Sequence, residues 1–155
     1  VNQLNYERVS LAPAGMFSQV FEDVVAWARD TPAAEGGRVI DREWVRRNLA
    51  EAKAKLEVLT LLNWKVAASE GAKPADASAT KVFGTEFFVE GYRQLMEVLG
   101  PAAVLERGSP GAVLAGRLAR ACQGTLILTF GGGVNEIQRD LVALFGLGLP
   151  RIPRT

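Results

Sequence analysis

One apolar seam limits what this chain can fold into. Between residues 41 and 69, Val45, Leu49, Ala52, Leu56, Leu59, Leu62 and Val66 recur at three- and four-residue steps. That is the period at which side chains return to one face of an α-helix. Arg46, Arg47, Glu51, Lys53, Lys55 and Glu57 fall mostly on the other faces. A strand alternates its faces every second residue and has no use for such a pattern. A helix of this length, apolar along one side, has to bury that side against other helices.

The flanking segments read as those helices. Residues 4–29 carry Val9, Met16, Val20, Val24 and Trp27 at helical spacing, with Pro13 and Gly15 placing a kink or a late start near Ser10. Residues 30–37 (DTPAAEGG) form a turn-rich loop. Asp41 stands where the N-cap of the long helix is expected. After a break at residues 71–74, a third helix runs from about Ala75 to Leu99. It presents Val82, Phe83, Phe87, Phe88, Tyr92, Leu95, Met96 and Leu99. Gly84 and Gly91 lie seven apart on one face, open to close approach by a neighbouring helix. Gly100 and Pro101 end that helix. A loop at 105–110, a fourth helix over 111–128 and a short fifth helix ending near Phe145 follow. In the fifth, Asn135, Glu136, Gln138, Arg139 and Asp140 read as the polar face, and Ile137, Leu141, Val142 and Leu144 as the buried one. The tail (GLGLPRIPRT) has two prolines and no pattern, and is expected to be extended or frayed. No strand, repeat or low-complexity segment stands out. The expected fold is all-α: an up-and-down four-helix bundle with a short extra C-terminal helix, forming one helical domain over residues 1–155. The chain opens in mid-pattern at Val1 and reads as a fragment or one domain of a longer protein.

Composition removes several classes of function. The net charge is +1, so no global field draws the chain to nucleic acid or to a membrane surface. No apolar run reaches the roughly 18 residues of a spanning helix, and no signal peptide is visible. There is no histidine, which excludes a Ser-His-Asp triad and histidine-ligated zinc within this chain; no metal is expected. The one cysteine, Cys122, lies in an apolar segment and has no partner for an internal disulfide. That suits a reducing, cytoplasmic setting.

The stretch with the most chemistry in it is residues 130–140, FGGGVNEIQRD. Three glycines precede a helix start, where the main chain can be approached closely and first-turn N–H groups suit an anion such as a phosphate. Glycine content alone also describes a plain connection between helices. Four ordered patterns go further. LNYERVSLAPAG at residues 4–15 has the form L-x-x-E-R followed by small and apolar residues. DASATKVF at 76–83 carries Ser78 and Lys81 in an A-S-x-x-K frame. MEVLG at 96–100 and GGVNEIQRD at 132–140 follow. Together they resemble the C-terminal domain of the acyl-CoA dehydrogenase family, over essentially the whole chain.

The resemblance implies an enzyme with an N-terminal helical domain, a middle β-domain and this helical bundle. FAD binds between the middle and C-terminal domains and reaches a neighbouring subunit. A carboxylate removes the α-proton of an acyl-CoA thioester while the β-hydride goes to the flavin, giving a trans-2-enoyl-CoA. Electrons pass on to an electron-transfer flavoprotein. In most of the family the base is a glutamate just before the glycine of a G-T-x-x-I-Q-R signature. That position here is Gly132. Isovaleryl-CoA and long-chain acyl-CoA dehydrogenases carry their glutamate in the L-x-x-E-R stretch, so Glu7 is the candidate base, with Arg8 and Asn5 near the acyl-CoA. The alternative for Glu7 is a surface or salt-bridging residue. The resemblance assigns Arg29, Gly100, Gly132, Gly133, Val134 and Glu136 to the flavin.

The departures are specific. The R-x-F-G element after the first helix is missing, and a phenylalanine–glutamine pair is replaced by Arg42–Glu43. Val134 stands for the signature threonine, and Pro101 removes an N–H from a G-G-x-G stretch. They leave two readings: a divergent dehydrogenase with Glu7 as base, or a degenerate subunit that scaffolds a catalytic partner. Either is expected to be a homo- or hetero-tetramer, as in the branch acting on CoA esters of steroid side chains. The seam and the Gly84–Gly91 face are the expected contact surfaces.

Overall fold

The computed structural model describes residues 2–71 and 73–151. Its helices are α1 (Asn2–Ser10), α2 (Ala14–Asp30), α3 (Glu43–Ala67), α4 (Pro74–Leu99), α5 (Arg117–Thr125) and α6 (Asn135–Gly146), joined by short 3-10 turns. Among the described residues there is no strand, only an isolated bridge between Pro32 and Arg38. The expected all-α class is the one observed. No helix of the described residues is long and apolar enough to cross a membrane.

α4 is the axis of the fold, and α1, α2, α3, α5 and α6 all pack on it. Its start is set by Pro74 in the first turn, where the missing N–H is not needed. It stops at Leu99, where Gly100 takes a positive φ of 63°. The apolar seam behaves as read: Val45, Leu49, Ala52, Leu56, Leu59 and Val66 are buried. Opposite it, Phe17 is fully buried against α4, with ring centroids 4.6 Å from Phe87 and 5.0 Å from Tyr92. Burying such a ring stabilises by about 1.5–3 kcal/mol, and its ring pairs add about 0.5–1.5 kcal/mol.

Several expectations are corrected. The first helix is two helices, because Pro13 and the turn before it end α1 at Ser10. The break turns Ala12 inward, where it is fully buried. In α2 the buried register is Phe17, Val20, Val24 and Ala28, and Met16 faces solvent. Asp41 is not the N-cap of the long helix. It lies in a 3-10 turn (Val39–Asp41), where its carboxylate accepts the Arg38 backbone N–H at 2.8 Å, and α3 starts at Glu43. The fourth helix is shorter than expected. Leu114 and Ala115 have positive φ (49° and 54°), so the regular helix starts only at Arg117. The tail to residue 151 is irregular, as expected, but the Leu149 N–H donates to Ala143 O at 3.0 Å and holds it against α6. The last four residues of that expectation lie outside the described residues.

The surfaces expected to make an oligomer are used within the chain. A Cβ on Gly84 would sit 2.3 Å from the Ala12 Cβ and 2.9 Å from Leu59, and one on Gly91 would sit 2.7 Å from the Phe17 ring. The apolar groups left in solvent lie elsewhere and include Trp44, Val58, Leu61 and Trp64 on α3, and Leu126, Ile127 and Phe130 before the glycine loop.

Candidate functional site

The site is built where the glycine loop passes between α1, α4 and α6. The loop turns because Gly132 and Gly133 take φ of 65° and 100°, which a side chain would resist. A Cβ on Gly133 would also meet the Gln138 amide nitrogen at 2.5 Å. From inside, Lys81 on α4 reaches the loop. It is fully buried, and its ammonium donates to Thr129 O (3.0 Å), Gly133 O (2.9 Å) and Asn135 Oδ1 (2.6 Å). Burial pulls its pKa below the usual lysine value; Glu136 and Glu86 pull it back up, and Arg8 pushes it further down. Asn135 donates in turn to Glu86 Oε1 (3.1 Å), whose other oxygen pairs with Arg139 at 2.7 Å. Ser78 donates to Gln138 Oε1 (2.9 Å), which leaves the Gln138 nitrogen to donate to Gly132 O (3.1 Å).

This reverses part of the reading of α6. Gln138 and Asn135, assigned to its polar face, are the buried residues, while Ile137, Leu141, Val142 and Leu144 are only partly covered. Ile137, Leu141 and Leu144 line an apolar groove of about 620 Å³ beside α6, between it and the tail that follows. That groove is larger than any other cavity described below but holds none of the polar groups of the site.

From outside, α1 brings Arg8 onto the loop. Its Nε donates to Gly132 O at 3.2 Å and its Nη1 to Asn5 Oδ1 at 2.7 Å. Asn5 is 1% exposed, so it supports Arg8 from below. Glu7 is exposed on the same helix, immediately before Arg8. A Cβ built on Gly132 would lie 3.3 Å from Arg8 Cγ and 3.7 Å from Arg8 Cα. Arg8, the residue after Glu7 on α1, is therefore packed on Gly132, which lies far from it in sequence.

The remaining expected flavin residues fall into two groups. Gly132, Gly133, Val134 and Glu136 are together at the start of α6, with Glu136 exposed. The first-turn N–H groups there have no carbonyl of their own helix to pair with, and the glycines admit a close ligand, so this end fits a phosphate-bearing cofactor such as FAD. Val134 offers it no hydroxyl. Arg29 and Gly100 are elsewhere. Gly100 is 19 residues along from Lys81, about 28 Å at 1.5 Å per helical residue. It lines an open cleft of about 440 Å³ with Trp27, Thr31, Arg42 and Trp44. Arg29 is exposed at the end of α2 and does not line that cleft. Arg42, which replaces an expected phenylalanine, pairs there with Glu35.

The polar network of Asn135, Glu86 and Thr85 escaped the reading of the sequence. The lysine of the A-S-x-x-K frame, three residues after Ser78, was its one visible signal.

The comparisons agree with this architecture. The model of the family described as acyl-CoA dehydrogenase, C-terminal domain, matches residues 1–146. Acyl-CoA dehydrogenase FadE26 of Mycobacterium tuberculosis is 55% identical over 160 residues, covering 99% of this chain and 40% of the relative. The crystal structure of the ChsE4–ChsE5 complex from Mycobacterium tuberculosis superposes with a TM-score of 0.91 at 55% identity, over 98% of this chain and 39% of that one. A steroid ACAD, Tcur3481–Tcur3483, follows with a TM-score of 0.87 at 47% identity, over 97% of this chain and 38% of that one. The chain thus spans about two fifths of the length of the relatives it matches.

Proposed function

Because the chain belongs to the acyl-CoA dehydrogenase family, as its C-terminal domain, we propose that the full-length protein oxidises an acyl-CoA thioester to a trans-2-enoyl-CoA, with Glu7 as the base. FAD, when bound, supplies the acceptor for the β-hydride. The Glu7 carboxylate takes the α-proton as general base. Arg8, braced by Asn5 and the Gly132 carbonyl, keeps α1 at the thioester. Gly132, Gly133, Val134 and Glu136 hold the flavin at the start of α6. Arg29 and Gly100, at the far end of α4, serve a second flavin shared with a neighbouring subunit.

One observation carries this reading: Arg8 bonds the Gly132 carbonyl at 3.2 Å. Glu7, the residue before Arg8, carries a carboxylate, and position 132, which Arg8 holds, carries none.

The substrate class is a bulky acyl-CoA of the steroid side-chain type and the partner a second acyl-CoA dehydrogenase subunit, on the likeness to the Tcur3481–Tcur3483 steroid ACAD and the ChsE4–ChsE5 complex. Electrons leave to an electron-transfer flavoprotein, in a cytoplasmic setting. A second reading, a non-catalytic subunit that shapes its partner's site, is favoured by Val134 and Pro101, which withhold a hydroxyl and an N–H from the flavin.

The test uses the full-length protein, alone and co-expressed with an adjacent dehydrogenase subunit. Flavin absorbance is followed after adding octanoyl-CoA or a steroid side-chain CoA thioester. Bleaching that vanishes in Glu7→Gln while flavin stays bound supports Glu7 as base. Bleaching that needs the partner and survives Glu7→Gln assigns the chemistry to the partner.

A further inference from the structure

Among the described residues Lys81 is the only charged side chain that is buried, and it is fully so. An ammonium in that position is costly unless its hydrogen bonds are complete. Here all three of its donors go to neutral oxygens, Thr129 O, Gly133 O and Asn135 Oδ1. Thr129 and Gly133 stand on either side of residues 130–132, so one cation ties the two ends of the glycine loop together. The tip is held separately. Ser78 orients the Gln138 amide, and its nitrogen grips the Gly132 carbonyl at 3.1 Å. Arg8 takes the same carbonyl from the other side at 3.2 Å. The chain of contacts runs from α4 through the loop to Arg8, and Glu7 is the residue beside Arg8.

We propose that Lys81, acting through the glycine loop it ties together and through Arg8 on that loop, is a positioning residue for the proton-abstracting carboxylate of Glu7. The inference rests on the reading of Glu7 as base. Lys81 touches no substrate in this role. Its charge is what locks two carbonyls and an amide at once, which a neutral side chain of the same length does not do. The lock adds to the loop's own turn bonds, Gly131 N–H to Ile127 O and Gly133 N–H to Phe130 O, in a segment whose Gly132 and Gly133 take left-handed conformations.

The experiment compares Lys81→Met, Gln138→Met, Glu7→Gln and the Lys81→Met/Glu7→Gln double variant in the full-length protein with its partner subunit. Octanoyl-CoA and a steroid side-chain CoA thioester are the probes, and the rate of flavin reduction is expressed per bound flavin. Both single positioning variants are expected to slow reduction by about ten- to a hundredfold, the scale of a small misplacement of a catalytic group, with thioester affinity unchanged. The double variant is expected to be no slower than Glu7→Gln. Gln138→Met carries the test alone if Lys81→Met yields no folded protein. Wild-type rates per bound flavin, with only a lower melting temperature, would reduce Lys81 to a structural role and overturn the proposal. So would a double variant slower than Glu7→Gln. If Glu7→Gln itself reduces flavin normally, the base assignment fails first, and the inference with it. If Glu7→Gln is inactive while both positioning variants are normal, only the inference fails.

Discussion

The two halves of α4 bury opposite kinds of chemistry. The C-terminal half inserts Phe87, Phe88, Tyr92, Leu95, Val98 and Leu99 against α2 and α3. The N-terminal half buries Ser78, Thr80, Lys81 and Thr85, with Asn135 and Gln138 of α6 facing them. Both halves are equally closed to solvent, yet they do different work. In the aromatic half each ring gains from area and contact, and modest shifts cost little direction. In the polar half Ser78, Lys81, Thr85, Asn135 and Gln138 gain only if their partners stay in place, so the net stability is small and the geometric constraint is strong; the buried Thr80 hydroxyl has no partner among the described residues. The half that stabilises the bundle and the half that carries the candidate site share one rigid helix.

Phe17→Ala should show the largest effect. It empties the centre of the ring cluster and is expected to cost about 3–5 kcal/mol in urea or thermal unfolding. Lys81→Met is expected to cost less, about 1–3 kcal/mol, because unpaired acceptors are left behind while a buried charge is removed. Equal losses would break the contrast.

Gly84→Ala comes next. Its Cβ would meet the Ala12 Cβ at 2.3 Å, where backbone and not a flexible side-chain end must move. Overpacking of this kind costs about 1–3 kcal/mol. A change below about 0.5 kcal/mol, the range of ordinary surface substitutions, would show that the α1–α2 break is more yielding than it looks.

The smallest effect is the alkaline response, and its sign differs between the halves. Burial raises the Tyr92 pKa above its ordinary 10.0. The folded state then keeps a proton that the unfolded chain releases, so the stability Tyr92 contributes is full below pH 10 and is lost as pH rises through its raised value. Lys81 is lowered from its ordinary 10.5, first by burial. The folded state gives up its proton before the unfolded chain does, so its contribution is present above pH 10.5 and is lost as pH falls through the lowered value. Unfolding free energy measured from pH 7 to 11 should therefore gain a rising component that vanishes in Lys81→Met and a falling one that vanishes in Tyr92→Phe. Slopes of the same sign would sink the comparison.

Much of this molecule was legible in its residues. The three-and-four spacing from Val45 to Val66 required a helix buried along one side, and it is. Gly100 ended α4 as its position implied. Asn5, Glu7, Arg8 and the glycine loop were singled out by motif, and the fold brings them together at one end of α4. Arg29 and Gly100 were singled out with them but lie away from that end, because a motif lists residues without their distances in the fold. The break after Ser10 was visible at Pro13, but not that it would turn Ala12 under Gly84.

What the chain determined by itself is its helices, since their period, caps and breakers are local and act within a few residues. What only the tertiary structure decided is which face of a helix looks inward when the partner is polar. The apolar stripe of α6 predicted its burial by Ile137 and Leu141. Lys81, more than fifty residues away in sequence, turned Asn135 inward instead, and Ser78 on the same helix did the same for Gln138. A buried cation needs oxygen atoms more than a short helix needs to hide its aliphatic side chains, and that requirement exists only once α4 and α6 have met.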